Sequence, residues 1–380
     1  MTQNKPLAGV RVLDLTQLLP GPMCTLHLAD MGAEVIKIEP PEYGDPVRGG
    51  KGKFSTMFLM LNRNKRSVEV NLRSEEGLAL IKKLVESADV LVEGFRPGVT
   101  DRLGIGYEAM KAINPKLVYC SITGYGQEGP LSQVAGHDIN YQSLTGVLEQ
   151  SGKAGGPPAQ GNFPIADLAG GSMSAATGIL AALFDASRSG KGRFVDIAMA
   201  DCLMSLNIIA TTAWQQSGHQ QIPRGEDFLS GGLACYHIYE TKDGRHLAVG
   251  AVEMKFWVNF CDAIERPDLH KRGHLPGKSG YEAKAEVAAV IAEYDLAHWT
   301  EIFANVDACT TPVLRIDEAL KTPNVAARGM LIEATHPEGG DHLQYACPLK
   351  MSDCDNQDTQ PAPALGADNA AIRAELGLAE

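Results

Sequence analysis

The sequence lacks most of the features that would assign it at a glance. Its eight cysteines (Cys24, Cys120, Cys202, Cys235, Cys261, Cys309, Cys347 and Cys354) form no Cys-x-x-Cys pair. That argues against zinc, and more strongly against a disulfide framework. No run approaches the ~20 apolar residues of a membrane span. The opening MTQNKPLAG has no hydrophobic core, so no secretion signal is expected and residence should be cytoplasmic. Basic residues are in deficit: 34 Lys and Arg stand against 46 Asp and Glu, for a net charge of −12. That balance excludes the basic footprint of a nucleic-acid binder or a polybasic membrane-surface protein. The loop after the first predicted strand, Thr16-Gln17-Leu18-Leu19-Pro20-Gly21-Pro22, lacks Gly-x-Gly-x-x-Gly, and no P-loop occurs. NAD and FAD are therefore not expected. There are no internal repeats and no low-complexity segments.

What is present alternates between strand and helix. Val10–Leu15 predicts a strand, Met23–Met31 a helix and Glu34–Ile38 the next strand, a βαβ unit that implies a parallel sheet. Ser67–Leu72 reads as a strand. Ser74-Glu75-Glu76 then supplies an N-cap and an acidic first turn for a helix over Gly77–Ser87. Asp89–Glu93 and Leu117–Thr123 repeat the strand pattern, the signature of a doubly wound domain. Ser172–Arg188 reads as helix, Phe194–Ala198 as strand and Asp201–Trp214 as helix. Composition changes near Gly218. Gly231–Val252 then predicts antiparallel strands with Asp243-Gly244 as a hairpin turn. Helices follow to about Ala304, an irregular tail runs from Pro348 to Pro363, and a short helix covers Asn369–Leu376. The predicted organisation is α/β: a Rossmann-like domain over 1–217, a smaller α+β domain over 218–325, and a return to the first domain over 326–380.

Two Gly-flanked motifs stand out. His137 lies in Ala135-Gly136-His137-Asp138-Ile139-Asn140-Tyr141, and Asp167 in Phe163-Pro164-Ile165-Ala166-Asp167-Leu168-Ala169-Gly170-Gly171. Glycine permits close backbone approach, so the two side chains could flank one substrate carbon. A lone histidine is more often a satisfied core residue, and the value of His137 rests on its pairing with Asp167. A second feature is a local bunching of cations: Arg48, Lys51, Lys53, Arg63, Lys65, Arg66 and Arg73. It reads equally as a phosphate-receiving surface or as a solvated loop. Phe95-Arg96-Pro97-Gly98 follows a strand end, where open α/β sheets bind ligands. There Phe95 could hold an adenine or simply belong to the core.

These segments, with Gly190-Lys191-Gly192, Val195-Asp196, Gly231-Gly232, Ala248 to Glu253, Asp307-Ala308-Cys309 and Thr311-Pro312-Val313, resemble the family III CoA-transferase superfamily from Leu7 to about Met330. Within it they most resemble the α-methylacyl-CoA racemases. The resemblance implies a Rossmann-like large domain with a smaller α/β domain and two chains interlocked as a homodimer. It implies an acyl-CoA substrate, coenzyme A being part of the substrate and no separate cofactor or metal being needed. It makes His137 and Asp167 an acid/base pair supported by Glu253. It places CoA contacts at Val70, Asn71, Leu72, Arg73, Gly94, Phe95, Arg96, Arg102, Gly136, Asp138 and Tyr141. A family arginine that contacts CoA falls at Pro40, and the long Gly44–Arg66 stretch looks more like the transferases.

The chemistry fits the residue types. A thioester acidifies its α-hydrogen only modestly, so deprotonation needs a placed base and a stabilised enolate oxygen. Neutral His137 would take the proton from one face and protonated Asp167 return it to the other. Backbone N–H groups near Asp167 and Gly170 are candidate enolate donors. The first expectation is a racemase of 2-methyl-branched acyl-CoA. The alternative is a CoA-transferase with Asp167 as nucleophile, and the non-enzymatic alternative an acyl-CoA-binding protein.

Overall fold

A computed structural model describes residues 5–50, 52–354 and 359–378. The chain divides into two compact units. The first comprises 1–145, 163–205 and 323–380, and the second 146–162 and 206–322. Composition places the switches at 218 and 326. In the structure the chain leaves the first unit at 205, re-enters it at 323, and 146–162 groups with the second unit.

The first unit is built on six parallel strands: β1 (Arg11–Asp14), β2 (Glu34–Glu39), β3 (Lys65–Glu69), β4 (Val90–Glu93), β5 (Val118–Thr123) and β6 (Phe194–Ala198). Their order in the sheet is β3-β2-β1-β4-β5-β6, the doubly wound arrangement that the alternation predicts. Helices cover both faces, so the central strands are almost wholly buried. The helix Glu75–Val85 starts as read: the Ser74 hydroxyl accepts the Gly77 N–H at 3.1 Å, and Glu75 and Glu76 sit in the first turn. β3 begins and ends earlier than expected. Asn71 folds back into a turn, its side-chain oxygen accepting the Arg73 N–H at 3.0 Å, which stops the strand.

Four of the seven clustered cations, Arg48, Arg63, Lys65 and Arg66, are held in ion pairs. Arg48 forks onto Glu39 at 2.8 and 2.7 Å, Arg63 onto Asp30, and Lys65 reaches Asp14 at 3.1 Å. Arg66 pairs with Glu34, Asp368 and Glu375. Each partner lies far enough along the chain to be invisible in a local reading. Lys53 and Arg73 are exposed, and Lys51 lies outside the described residues.

The edge strand β3 is covered by the returning chain. The Asp368 carboxylate accepts the Ser67 N–H at 2.9 Å, and the Asn369 side chain accepts the Glu69 N–H at 2.8 Å. The helix Asn369–Glu375 inserts Ile372 into the core. The same unit carries a hairpin, Leu331–His336 with Gly340–Tyr345, and a helix, Thr56–Asn62, capped by Ser55. Neither is expected from the sequence. The continuous helix Ala166–Ser189 is, by length and composition alone, apolar enough to cross a bilayer, contrary to the sequence reading. Its second part, Ser174–Ser189, packs on β5 and β6 through Ala175, Ala176, Ile179 and Ala182.

The second unit has a three-stranded antiparallel sheet, β7 (Tyr236–Glu240), β8 (His246–Gly250) and β9 (Thr310–Pro312), in that order. Gly244 supplies the left-handed backbone of the turn at φ 71°, within a loop from Thr241 to Arg245 that is longer than the two-residue turn expected. Its core gathers Trp257, Phe260, Trp299 and Phe303. The two indole N–H groups donate to Leu269 O and Ile291 O, so these large rings are buried without an orphaned donor. The expected helix Asp201–Trp214 is two helices, Met199–Leu206 and Ile208–Gln216, interrupted at Asn207.

Candidate active site

The first unit holds a cavity of about 780 Å³ at the carboxyl ends of β1, β4 and β5. β1 and β4 are sheet neighbours although not consecutive, so the strand order reverses there and the two following loops diverge. Such a switch point is where open α/β sheets bind ligands. The walls are Leu15–Leu18 after β1, Gly94–Pro97 after β4 and Ile122–Tyr125 at the end of β5. Val134–His137, Asn140, Tyr141 and Asp167 complete the side where chemistry is expected.

His137 immediately precedes the helix Asp138–Leu144 and is exposed. Its N–H donates to the Asn140 side chain at 3.0 Å. Gly136 before it has a steric reason: a Cβ there would lie 2.7 Å from Tyr141 Cε1. Tyr141 is buried, donates its hydroxyl to Gly136 O at 2.6 Å and meets Tyr125 edge-on. The glycine thus lets the backbone close over an aromatic ring and presents the next residue to the cavity.

Asp167 sits in the first turn of a π-helix, Ala166–Met173. Such widened turns are rare and often occur at functional sites. Gly170 permits it here, since a Cβ would stand 2.6 Å from Met199 O. The two motifs are tied together by Asp138, one of whose carboxylate oxygens accepts the N–H groups of Ala166 at 2.6 Å and Asp167 at 3.1 Å. The Asp167 N–H is therefore already engaged, which leaves the N–H groups nearer Gly170 as the enolate donors to consider. Burial raises the Asp167 carboxyl to about 6, the like charge of Asp138 adds to the rise, and His137 opposes it. Burial, then the charge of Asp167, pushes the Tyr141 phenol up to about 12. His137, Asp138, Tyr141 and Asp167 are thus one electrostatic group.

The remaining residues expected at the site divide clearly. Gly94, Phe95 and Arg96 line the cavity, and Phe95 also packs against the core. Asp138 braces the site from behind. Val70 is buried directly after the end of β3, and Asn71, Leu72 and Arg73 form the turn that follows. Arg102 lies in the short helix Val99–Leu103. None of these five lines the cavity. Glu253 belongs to the second unit, exposed before the helix Met254–Ala263.

Sequence reasoning misses two contributors. The Thr16–Leu18 loop invites comparison only with a dinucleotide fingerprint. Glu93 reads as the end of a strand, yet its carboxylate accepts the Phe95 N–H at 2.7 Å and shapes the loop beside the cavity. Burial pushes that carboxyl up to about 7, against the Ser121 hydroxyl and the Phe95 N–H. Among the described residues, no cluster of three or more His, Cys, Asp or Glu could hold a metal ion.

The family model for CoA-transferase family III matches residues 7–369, and the chain belongs to that family. It is 34% identical over 374 residues to α-methylacyl-CoA racemase of Homo sapiens, covering 98% of this chain and 94% of that one. It is 33% identical over 385 residues to acetyl-CoA:oxalate CoA-transferase of Acetobacter aceti, covering 99% and 97%. Among solved structures, a CAIB/BAIF family protein from Brucella suis matches with a TM-score of 0.84 at 30% identity, covering 98% of this chain and 100% of that one. Both racemases and CoA-transferases are relatives at similar distance.

Proposed function

We propose that this protein binds an acyl-CoA in the cavity at the ends of β1, β4 and β5 and inverts the α-carbon of a 2-methyl-branched acyl group. The observation that carries this reading is the placement of His137 and Asp167 on the wall of one cavity, joined through Asp138. Neutral His137 removes the α-proton and becomes imidazolium. The electron pair moves into the thioester as an enolate, and the protonated Asp167 carboxyl returns a proton to the opposite face. Run in reverse, Asp167 is the base and the imidazolium the acid. A carboxyl near 6 is available in both forms around neutral pH, as two-way proton transfer requires. Arg96 would meet a phosphate of the nucleotide, because its planar fork gives paired, charge-assisted hydrogen bonds. Phe95 would offer a ring to the adenine.

The second reading is a CoA-transferase, which the transferase relatives favour. The Asp167 carboxylate would attack the thioester carbonyl and expel CoA thiolate, leaving a mixed anhydride. The thiolate would then attack the aspartyl carbonyl, releasing the first acid and leaving an aspartyl thioester for the acceptor acid.

One experiment separates the readings. A chiral 2-methylacyl-CoA is incubated in deuterium oxide, alone and with a panel of free acids. The racemase reading expects α-deuterium and inversion without added carboxylate, and a loss on the order of a hundredfold or more for His137→Ala. Glu253→Gln in the same assay tests the imidazole support that the resemblance assigns to Glu253. Absence of exchange, together with acid-dependent movement of CoA and an Asp167 adduct trapped by hydroxylamine, would establish the transferase. Binding without turnover in either arm would favour an acyl-CoA-binding protein. The same reading includes an interlocked homodimer in the cytoplasm. Exposed apolar side chains support a partner chain: Phe163 and Phe184 on the first unit, Ile208 and Trp214 on the second. The eight free thiols suit a reducing compartment.

A further inference from the structure

The loop after β1 is held in a backbone conformation that its residues disfavour. Leu18 has φ 67°, a left-handed geometry that a side-chain-bearing residue adopts only at a steric cost. The hold comes from a buried ion pair. One oxygen of Asp45 accepts the Leu18 N–H at 3.1 Å and the Val47 N–H at 3.1 Å. The other lies 2.9 Å from Lys37 Nζ, and both side chains are fully buried. Lys37 Nζ also donates to Thr16 O at 3.0 Å. Thr16, Leu18 and Val47 all line the cavity, so one Lys–Asp pair fixes three points of its wall. Stability alone is a poor explanation. Desolvation largely cancels the attraction within a buried pair, and apolar replacements of such pairs are often neutral or stabilising. Strain held in place by surrounding structure is characteristic of functional sites.

We propose that Asp45 and Lys37 are positioning residues for acyl-CoA, holding the Thr16–Leu18 loop in its strained form so that the cavity keeps the shape that the ligand needs. This role rests on the acyl-CoA reading above. It is tested by calorimetric binding of acetyl-CoA to the full chain, with thermal unfolding measured in parallel. Asp45→Asn keeps an acceptor oxygen but removes the charge, and is expected to weaken binding roughly tenfold, the size of one lost charge-assisted hydrogen bond. Leu18→Gly removes the need for the hold, because glycine adopts this backbone freely. Asp45→Asn should therefore cost much less when combined with Leu18→Gly than it does alone. Leu18→Pro is the second probe: it forbids the left-handed backbone and deletes the N–H, yet leaves the ion pair in place. It should weaken binding at an unfolding temperature close to that of the wild type. Wild-type affinity in Leu18→Pro, or an equal cost of Asp45→Asn with and without Leu18→Gly, would overturn the role and leave the acyl-CoA reading intact. Failure of the wild type itself to bind acetyl-CoA would overturn that reading, and this role with it.

Discussion

Asp138 accepts the backbone N–H of Asp167 at 3.1 Å, so the residue after the candidate base is the anchor of the candidate acid. The same carboxylate is a like charge that helps raise the Asp167 carboxyl to about 6, after burial. Asp138→Asn keeps an acceptor oxygen for the two N–H groups and removes the charge. The Asp167 carboxyl should then ionise more easily. In a pH profile of kcat/KM, the limb that reports Asp167 should move to lower pH by a few tenths to about one unit. An unmoved limb, or one displaced to higher pH, would contradict the coupling.

Gly136 lets the chain pass over the Tyr141 ring. With alanine, the Cβ would sit 2.7 Å from Tyr141 Cε1, and either the ring or the His137 backbone must shift. Gly136→Ala should destabilise the fold by about 1–3 kcal/mol, as overpacking does. Turnover should fall on the order of tenfold or more, because the displaced residue adjoins His137. Thermal unfolding and steady-state kinetics read the two effects separately. Wild-type turnover would show that Gly136 has no part in placing His137.

Arg96 lines the cavity and Arg102 does not. Arg96→Ala should raise KM for acyl-CoA roughly tenfold with little change in kcat, since a phosphate contact remote from the reacting carbon is made equally in ground and transition states. The effect should shrink for an acyl-pantetheine that lacks the nucleotide. Arg102→Ala should do less with either substrate. Equal losses for acyl-CoA and acyl-pantetheine in Arg96→Ala would move the nucleotide site elsewhere.

Glu93 sets a pH dependence of stability with a definite sign. Its carboxyl lies at about 7 in the folded protein against an ordinary 4.5, chiefly through burial. The folded state therefore holds this proton more tightly than the unfolded chain. The resulting stabilisation is complete below about pH 4.5 and is lost as pH rises through about 7. Glu93→Gln has no proton to lose. Its unfolding free energy should gain on that of the wild type between pH 5 and pH 8, by a difference on the order of 2 kcal/mol. Parallel curves for the two proteins would mean that Glu93 is ionised throughout.

Sequence legibility follows the range of the interactions. The βαβ alternation and the Ser74 cap are local, and both are readable. The His137 and Asp167 motifs are readable because their glycines sit beside them. What escapes is long-range. Arg48, Arg63 and Lys65 read as free cations, since nothing nearby in the sequence shows that Glu39, Asp30 and Asp14 will neutralise them. The π-helix at Asp167 depends on Gly170 meeting Met199 from another segment. Asp45 and Lys37 carry no motif at all, and their role is visible only once Leu18 is seen at positive φ. The Leu331–Tyr345 hairpin is lost because the two residues it buries, His336 and Gln344, are polar, so neither strand presents an apolar face to read.

The cover on β3 has a consequence for how the chain is made. Asp368 and Asn369 take up the outward N–H groups of Ser67 and Glu69 some 300 residues after those groups are synthesised. Until then the sheet ends in an open strand, with unpaired donors that another chain can capture. On a ribosome, where residues emerge a few per second, that exposure lasts for most of the synthesis of the protein. The segment Asp368–Glu375 is thus the closure of a sheet whose first strand is β1. A protein cut short near residue 360 would be released with a live sheet edge, and its characteristic fate would be self-association at β3.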